Sequence, residues 1–93
     1  MTEVAVFSPD AYPRISRKFR LQWEDAQQAW VLLYPEGMVK LNQSAGEILQ
    51  RCDGTRSTLD IVADLEQAFA TTGLLADVQA FLGMARQQHW IEG

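Results

Sequence analysis

Cysteine and long apolar runs are the two features that this sequence most clearly lacks. Cys52 is the single cysteine among 93 residues, so no internal disulfide can form, as is usual in a reducing cytoplasm. No segment approaches the roughly 18 consecutive apolar residues that span a membrane. The N-terminus has no basic segment followed by an apolar run, which a secretory signal would need. We therefore expect a soluble cytoplasmic protein that has no membrane partner.

Positive charge is also scarce. Lys and Arg number 8 against 12 Asp and Glu, and the formal net charge is −4. Nucleic-acid binders neutralise phosphates with basic residues, so this balance argues against a nucleic-acid partner. One local basic cluster is present, formed by Arg14, Arg17, Lys18 and Arg20. A winged-helix nucleic-acid binder therefore remains only as an alternative.

Residue sets for catalysis or metal binding are missing as well. Cys52 and the one histidine, His89, fall on different predicted helices, whereas a zinc site needs about four ligands. The glycines are too scattered for a phosphate-binding loop. Cys52 lies on the apolar stripe of its helix, where a small buried side chain is typical. We predict no catalytic residue, no metal and no cofactor, and hence a protein that is not an enzyme.

The composition predicts one folded domain with an N-terminal arm. Hydrophobic residues make up 47% of the chain, and 93 residues allow a single core. Residues 1–12 show no sustained period, and we predict a flexible or docking arm there. Val4, Val6 and Phe7 are its candidates for contact with a partner or a second subunit. Residues 13–93 form the predicted domain.

Three strands are expected in the first half of that domain. Residues 17–23 alternate between apolar and polar side chains, as a half-buried strand does. Residues 29–34 are continuously apolar, which is typical of a strand covered on both faces. After a Pro-Glu-Gly turn, residues 38–41 return antiparallel. The aromatic side chains of these strands are expected in the core: Phe19, Trp23 and Trp30.

Three helices follow in the second half. Ser44 and Glu47 have the spacing of a capping box at the start of the first helix. Ser57, followed by Asp60, predicts the start of the second helix, and the third is expected over about 77–88. The sequence therefore predicts an α+β, winged-helix-like fold, with a three-stranded antiparallel β-meander followed by three α-helices.

The third strand is the most informative element for function. Residues 38–41 carry one charge and no proline, so little protects this strand as a sheet edge. An open edge can accept an extended peptide as an added strand. The pattern alone leaves two other uses open: closure of the edge by a helix, and pairing with a second copy as a structural dimer module.

Six segments of the sequence carry recognisable motifs: Pro13-Arg14, Arg20–Trp23, Trp30–Glu36, Leu41–Ala45, Ile48–Gly54 and Asp77–Leu82. Together they resemble the motifs of the coenzyme PQQ (pyrroloquinoline quinone) synthesis protein D family. The resemblance covers about residues 13–91. Two positions depart from the family pattern: Gly46 stands where alanine is frequent, and the last helix ends on Gln88-His89 in place of a basic residue and glycine.

The resemblance implies a non-catalytic peptide chaperone of the RiPP recognition element type. Such a domain binds the ribosomally made PQQ precursor peptide as an extra strand and presents it to the radical SAM enzyme of PQQ biosynthesis. On this basis Met38, Val39, Lys40 and Leu41 are expected to pair with the precursor. The opposite wall, on the third helix, has Leu82 and Arg86 as candidates. The other flank of that helix offers alternatives: Phe81, Met84 and Gln88.

Overall fold

The computed structural model describes residues 7–93 of the chain. In chain order, its elements are β1 (Arg14–Ile15), β2 (Arg20–Glu24), β3 (Ala29–Tyr34), β4 (Gly37–Lys40), α1 (Gln43–Gln50), α2 (Thr58–Ala68), α3 (Leu75–Gln87) and β5 (Ile91–Glu92). The predicted α+β class is confirmed, with the meander formed by β2, β3 and β4. No helix within residues 7–93 has the length and apolar character needed to cross a membrane.

The central sheet has the strand order β2-β3-β4, and both of its pairings are antiparallel. Leu32 in β3 lies opposite Leu21 in β2 and opposite Val39 in β4. A second, two-stranded sheet joins β1 to β5, with Arg14 opposite Glu92. The sequence did not predict this small sheet, because strands of two residues carry no periodic signal.

The core lies between one face of the central sheet and the three helices. Its fully buried side chains include Leu32, Leu49, Ile61 and Leu82, which bring together β3, α1, α2 and α3. Burial of such side chains is the main driving force for folding. Phe19 and Trp30 pack partly buried against this core. The expectation for Trp23 was wrong, because its side chain is 44% exposed and meets Trp30 edge-on, with ring centroids 5.7 Å apart.

Side-chain caps begin the first two helices. In α1 the cap is Asn42, whose side-chain oxygen accepts a hydrogen bond from the Ala45 N–H at 2.8 Å. The predicted cap at Ser44 was therefore wrong, since the chain already enters the helix at residue 43. In α2 the predicted capping box of Ser57 and Asp60 is confirmed. These caps satisfy N–H groups that have no partner within the helix.

The end of α3 is a Schellman motif closed by a residue that is not glycine. His89 has φ of 64°, its N–H donates to the Arg86 carbonyl at 3.0 Å, and the Trp90 N–H donates to the Ala85 carbonyl at 2.9 Å. Glycine usually occupies this left-handed position because it has no Cβ to clash. His89, which stands where the family pattern has glycine, is therefore under backbone strain.

Replacing His89 with glycine is expected to raise the free energy of unfolding by about 1 kcal/mol, because the left-handed backbone no longer strains a side chain. Thermal unfolding should then shift upward by roughly 4–8 °C. The control is Gln88→Gly, at a position with φ of −81°, which should destabilise through lost helix propensity. A lower midpoint for His89→Gly would contradict the strain argument.

Residues 7–12 pack against the helices. The Phe7 side chain is fully buried, and its carbonyl accepts a hydrogen bond from the Gln79 side chain at 2.8 Å. The Thr58 N–H donates to the Ala11 carbonyl at 2.9 Å, and the Leu59 N–H donates to the Pro9 carbonyl at 3.2 Å. Phe7 thus lies within the chain's own core. The other two arm residues proposed for docking, Val4 and Val6, lie outside the described residues.

Candidate functional site

The edge strand β4 is open on its outer side. It pairs with β3 on one side, and in the described part of the chain no strand pairs with the other. Met38 is 46% exposed, and Gly37 and Lys40 are also exposed. Unpaired N–H and C=O groups on such an edge are a template for another extended chain.

The register of β4 decides which of its backbone groups face outward. The Leu41 N–H donates to the Trp30 carbonyl at 2.9 Å, and Lys40 and Val39 lie opposite Val31 and Leu32. Opposed residues in an antiparallel pair alternate between those that exchange hydrogen bonds and those that do not. Val39 therefore bonds inward to β3, whereas the N–H and C=O groups of Met38 and Lys40 point away from the sheet.

The four residues predicted for strand pairing thus divide into two kinds. Met38 and Lys40 offer backbone groups at the free edge. Val39 and Leu41 turn their side chains to the core face, where Leu41 is only 5% exposed. Their side chains anchor the edge strand to the core, and their backbone groups are used in the hairpin with β3.

A series of ring contacts and hydrogen bonds leads from α3 to Tyr34, the residue before the turn into β4. The rings of Phe81 and Trp90 lie 6.5 Å apart, and the Trp90 carbonyl accepts a hydrogen bond from the Ser16 N–H at 2.8 Å. Phe19, whose N–H donates to the Ser16 carbonyl, packs 5.5 Å from the Tyr34 ring. Tyr34 lies opposite Gly37, the first residue of β4.

At its other end, α3 approaches the chain that follows β4. Leu74, Asp77 and Val78 line one pocket together with Gln43 and Ser44, which lie just beyond β4 in the sequence. The start of α3 therefore lies close to the segment that follows β4, and Val39 and Phe81 pack against the same hydrophobic core.

The two faces of α3 have different surroundings. Leu82 is fully buried in the core, and the guanidinium of Arg86 lies 5.0 Å from the centre of the Phe7 ring. Phe7 therefore lies against this face, and Arg86 itself is exposed. On the other flank Phe81 is half-buried and Met84 is 37% exposed. On this second flank Gln88 is also exposed.

Cys52 lies under α1 and away from this edge. Its side chain is 2% exposed, and its S–H donates to the Ile48 carbonyl at 3.3 Å. Burial raises the pKa of the Cys52 thiol to about 12, with a smaller contribution from the nearby Asp53 carboxylate. The thiolate needed for nucleophilic chemistry is therefore strongly disfavoured at neutral pH. Among residues 7–93, no cluster of His, Cys, Asp and Glu side chains has the arrangement of a metal site.

Known proteins share both this sequence and this architecture. A protein of Pseudomonas aeruginosa strain PAO1 named PqqA binding protein is 54% identical over 86 residues, which cover 91% of this chain and 94% of that protein. A protein of the same name from Azotobacter vinelandii is 54% identical over 81 residues, covering 86% of this chain and 88% of that protein.

A solved structure matches the whole fold. It is the solution NMR structure of the PqqD truncation of Methylobacterium extorquens PqqCD, described as a functional and stand-alone RiPP recognition element. The TM-score is 0.81 at 28% identity, covering 99% of this chain and 100% of that one. The family model for coenzyme PQQ synthesis protein D (PqqD) matches residues 29–91. This chain, with its open edge strand β4, therefore belongs to the PqqD family.

Proposed function

We propose that this chain is a peptide-recognition domain that binds the precursor peptide of PQQ as a fourth strand on the β4 edge. The observation that carries the proposal is the outward direction of the Met38 and Lys40 backbone groups on an otherwise open strand. Relatives named PqqA binding protein, and a structural match described as a RiPP recognition element, support it.

The geometry suits recognition by strand addition. Met38 and Lys40 each offer one N–H donor and one C=O acceptor to the guest, which gives affinity without reading its sequence. Side chains of the guest alternate between the two faces of the sheet. Every second side chain would then meet Phe81 and Met84 on α3, and this contact supplies the selectivity.

The domain delivers the peptide and performs no chemistry of its own. In this proposal it carries the precursor to the radical SAM enzyme of the pathway in the cytoplasm, and it needs no cofactor, metal or catalytic residue. The buried thiol of Cys52 supports this proposal, because the single cysteine of the chain is not accessible at the edge as a nucleophile. The enzyme must dock on another surface, because the peptide occupies the β4 edge.

Replacing Lys40 with proline tests strand addition directly. Proline removes the outward N–H and places its ring where the guest backbone would lie, and edge strands tolerate proline when the N–H faces solvent. We expect affinity for labelled PqqA peptide, measured by calorimetry, to fall about tenfold or more. Lys40→Ala removes the same charge but keeps the N–H, and an exposed charge contributes little. It should therefore bind within a few-fold of the parent.

The thermal midpoint of each variant shows whether the fold is intact. Equal affinity for Lys40→Pro and the parent, at an unchanged midpoint, would reject pairing at this edge. Proline at Val39 is a poor substitute for this experiment, because the Val39 N–H belongs to the hairpin with β3.

The same edge also suits a second copy of this chain. Antiparallel pairing about Val39 would place Met38 opposite Lys40 of the second copy, and both residues have outward backbone groups. A homodimer of this kind would compete with the peptide for β4. Light scattering across protein concentration should then show dimers that dissociate when PqqA peptide is added. A dimer that persists with bound peptide would place the dimer contact elsewhere.

A further inference from the structure

A pocket of about 370 Å³ lies where the three helices meet. Its apolar lining includes Ile48 from α1, Leu65 from α2, and Leu74 and Val78 at the start of α3. Phe69 stands in the lining with 48% of its surface exposed. No residue of β4 contributes to it. The volume falls in the range of sites that bind small molecules or single large side chains.

The charge around this pocket has one sign. Glu47 and Asp77 are the charged residues among those that line it. The Arg51 guanidinium, which lies 3.0 Å from Glu47, also bonds Asp64, so that network keeps a net negative charge. Asp77 is exposed in the first turn of α3. A guest with a cation near its apolar group would be favoured at this mouth.

The pocket is within reach of a guest strand that is paired with β4. β4 ends at Lys40, and Gln43 and Ser44 in the pocket lining are three and four residues further along the chain. Three residues span at most about 11 Å. An extended guest that continues past Lys40 would cover that distance in roughly three to four residues, at about 3.3 Å per residue.

We infer that this pocket binds one bulky apolar side chain of the guest peptide, next to a lysine or arginine of the same peptide. The inference rests on the proposed peptide-binding function and adds a second recognition point to it. Backbone pairing at β4 fixes the guest on the sheet. The helix pocket then selects guests with the right side chain at a fixed distance along the chain.

Filling the pocket tests this inference. Ser44 is exposed in the lining, and Asn42 rather than Ser44 caps α1, so Ser44→Trp introduces an indole without removing the cap. We expect the affinity for PqqA peptide to fall about tenfold, which corresponds to losing the burial of one large apolar side chain. Gln50→Trp adds the same side chain to an exposed position of α1 outside the pocket and should bind like the parent.

Charge is tested separately. Asp77→Asn keeps the size of the side chain and removes one carboxylate at the pocket, and Asp10→Asn removes one from an exposed position elsewhere. Asp77→Asn should weaken PqqA binding a few-fold at low salt, and the difference should shrink as salt rises. Asp10→Asn should have no effect at either salt concentration.

NMR identifies the occupant. In a sample with methyl-labelled protein and unlabelled PqqA peptide, intermolecular NOEs should connect one aromatic or aliphatic side chain of the peptide to the methyl groups of Ile48, Leu65 and Val78. Parent-like affinity of Ser44→Trp, or peptide NOEs that avoid these methyls, would overturn the pocket inference. Strand addition would still stand in that case if Lys40→Pro weakened binding. Absence of any PqqA binding by the parent would reject both proposals together.

Discussion

Alanine in place of Phe7 is expected to lower the free energy of unfolding by about 3–5 kcal/mol, the usual cost of deleting a buried phenylalanine ring. The ring is fully buried and lies under the Arg86 guanidinium at 5.0 Å. Domains of this length have a total stability of roughly 5–14 kcal/mol. Loss of the Phe7 ring should therefore remove a large share of the total stability. The Phe7→Ala variant should unfold at a much lower denaturant concentration than the parent.

Urea unfolding followed by tryptophan fluorescence would measure this change. The matched control is Phe69→Ala, which deletes the same ring from a side chain that is 48% exposed. This variant should lose far less unfolding free energy than Phe7→Ala. Phe7→Leu keeps most of the apolar volume and should fall between the two. If Phe7→Ala and Phe69→Ala shift the midpoint equally, residues 7–12 do not contribute to the core as described.

Alanine in place of Gly46 is expected to destabilise the protein by about 1–3 kcal/mol, even though alanine favours helices. A Cβ at Gly46 would lie 2.9 Å from the Cδ1 atom of Trp30 and 3.2 Å from its Cβ. Real side chains do not tolerate the shorter distance, so α1 or the indole must move. Overpacking of this kind costs more than the gain of up to ~1 kcal/mol in helix propensity.

The control for this prediction lies in α3. At Gly83 an added Cβ would meet nothing within 4 Å, so Gly83→Ala should gain helix propensity and raise the thermal midpoint. Opposite signs for the two substitutions are the decisive result, measured by thermal unfolding under one set of conditions. A stabilising Gly46→Ala would show that Trp30 rearranges at little cost. The glycine at this position, where the family often has alanine, would then need another explanation.

Residue patterns predicted the central part of this fold well. The continuous apolar run at 29–34 coincides with β3, and the capping box at Ser57 coincides with the start of α2. Both signals are local, so the sequence alone can carry them. The predicted cap of α1 was misplaced because asparagine and serine are both common at the start of a helix, and Asn42 and Ser44 are two residues apart. Which of them caps α1 depends on where β4 ends and the backbone turns into the helix.

The candidate site was predictable in part. Residues 38–41 could be recognised as an edge strand, but the division between outward Met38 and inward Val39 needs the register with β3. The surroundings of α3 also depend on Phe7, which packs against Arg86 from about 80 positions away in the sequence. Helical periodicity gives the faces of α3 but does not say which distant segment covers each of them.

The pairing of β1 with β5 has a consequence for how the chain folds. Arg14 and Glu92 are 78 positions apart and meet in an ion pair of 3.0 Å between exposed side chains. The hairpins of the central meander, by contrast, join near neighbours. Closing the longest loop carries the largest entropic cost, and the two strands gain only two residue pairs in return. The pairing of β1 with β5 should therefore form late in folding. In native-state hydrogen exchange it should open before the meander to which the guest strand would be added.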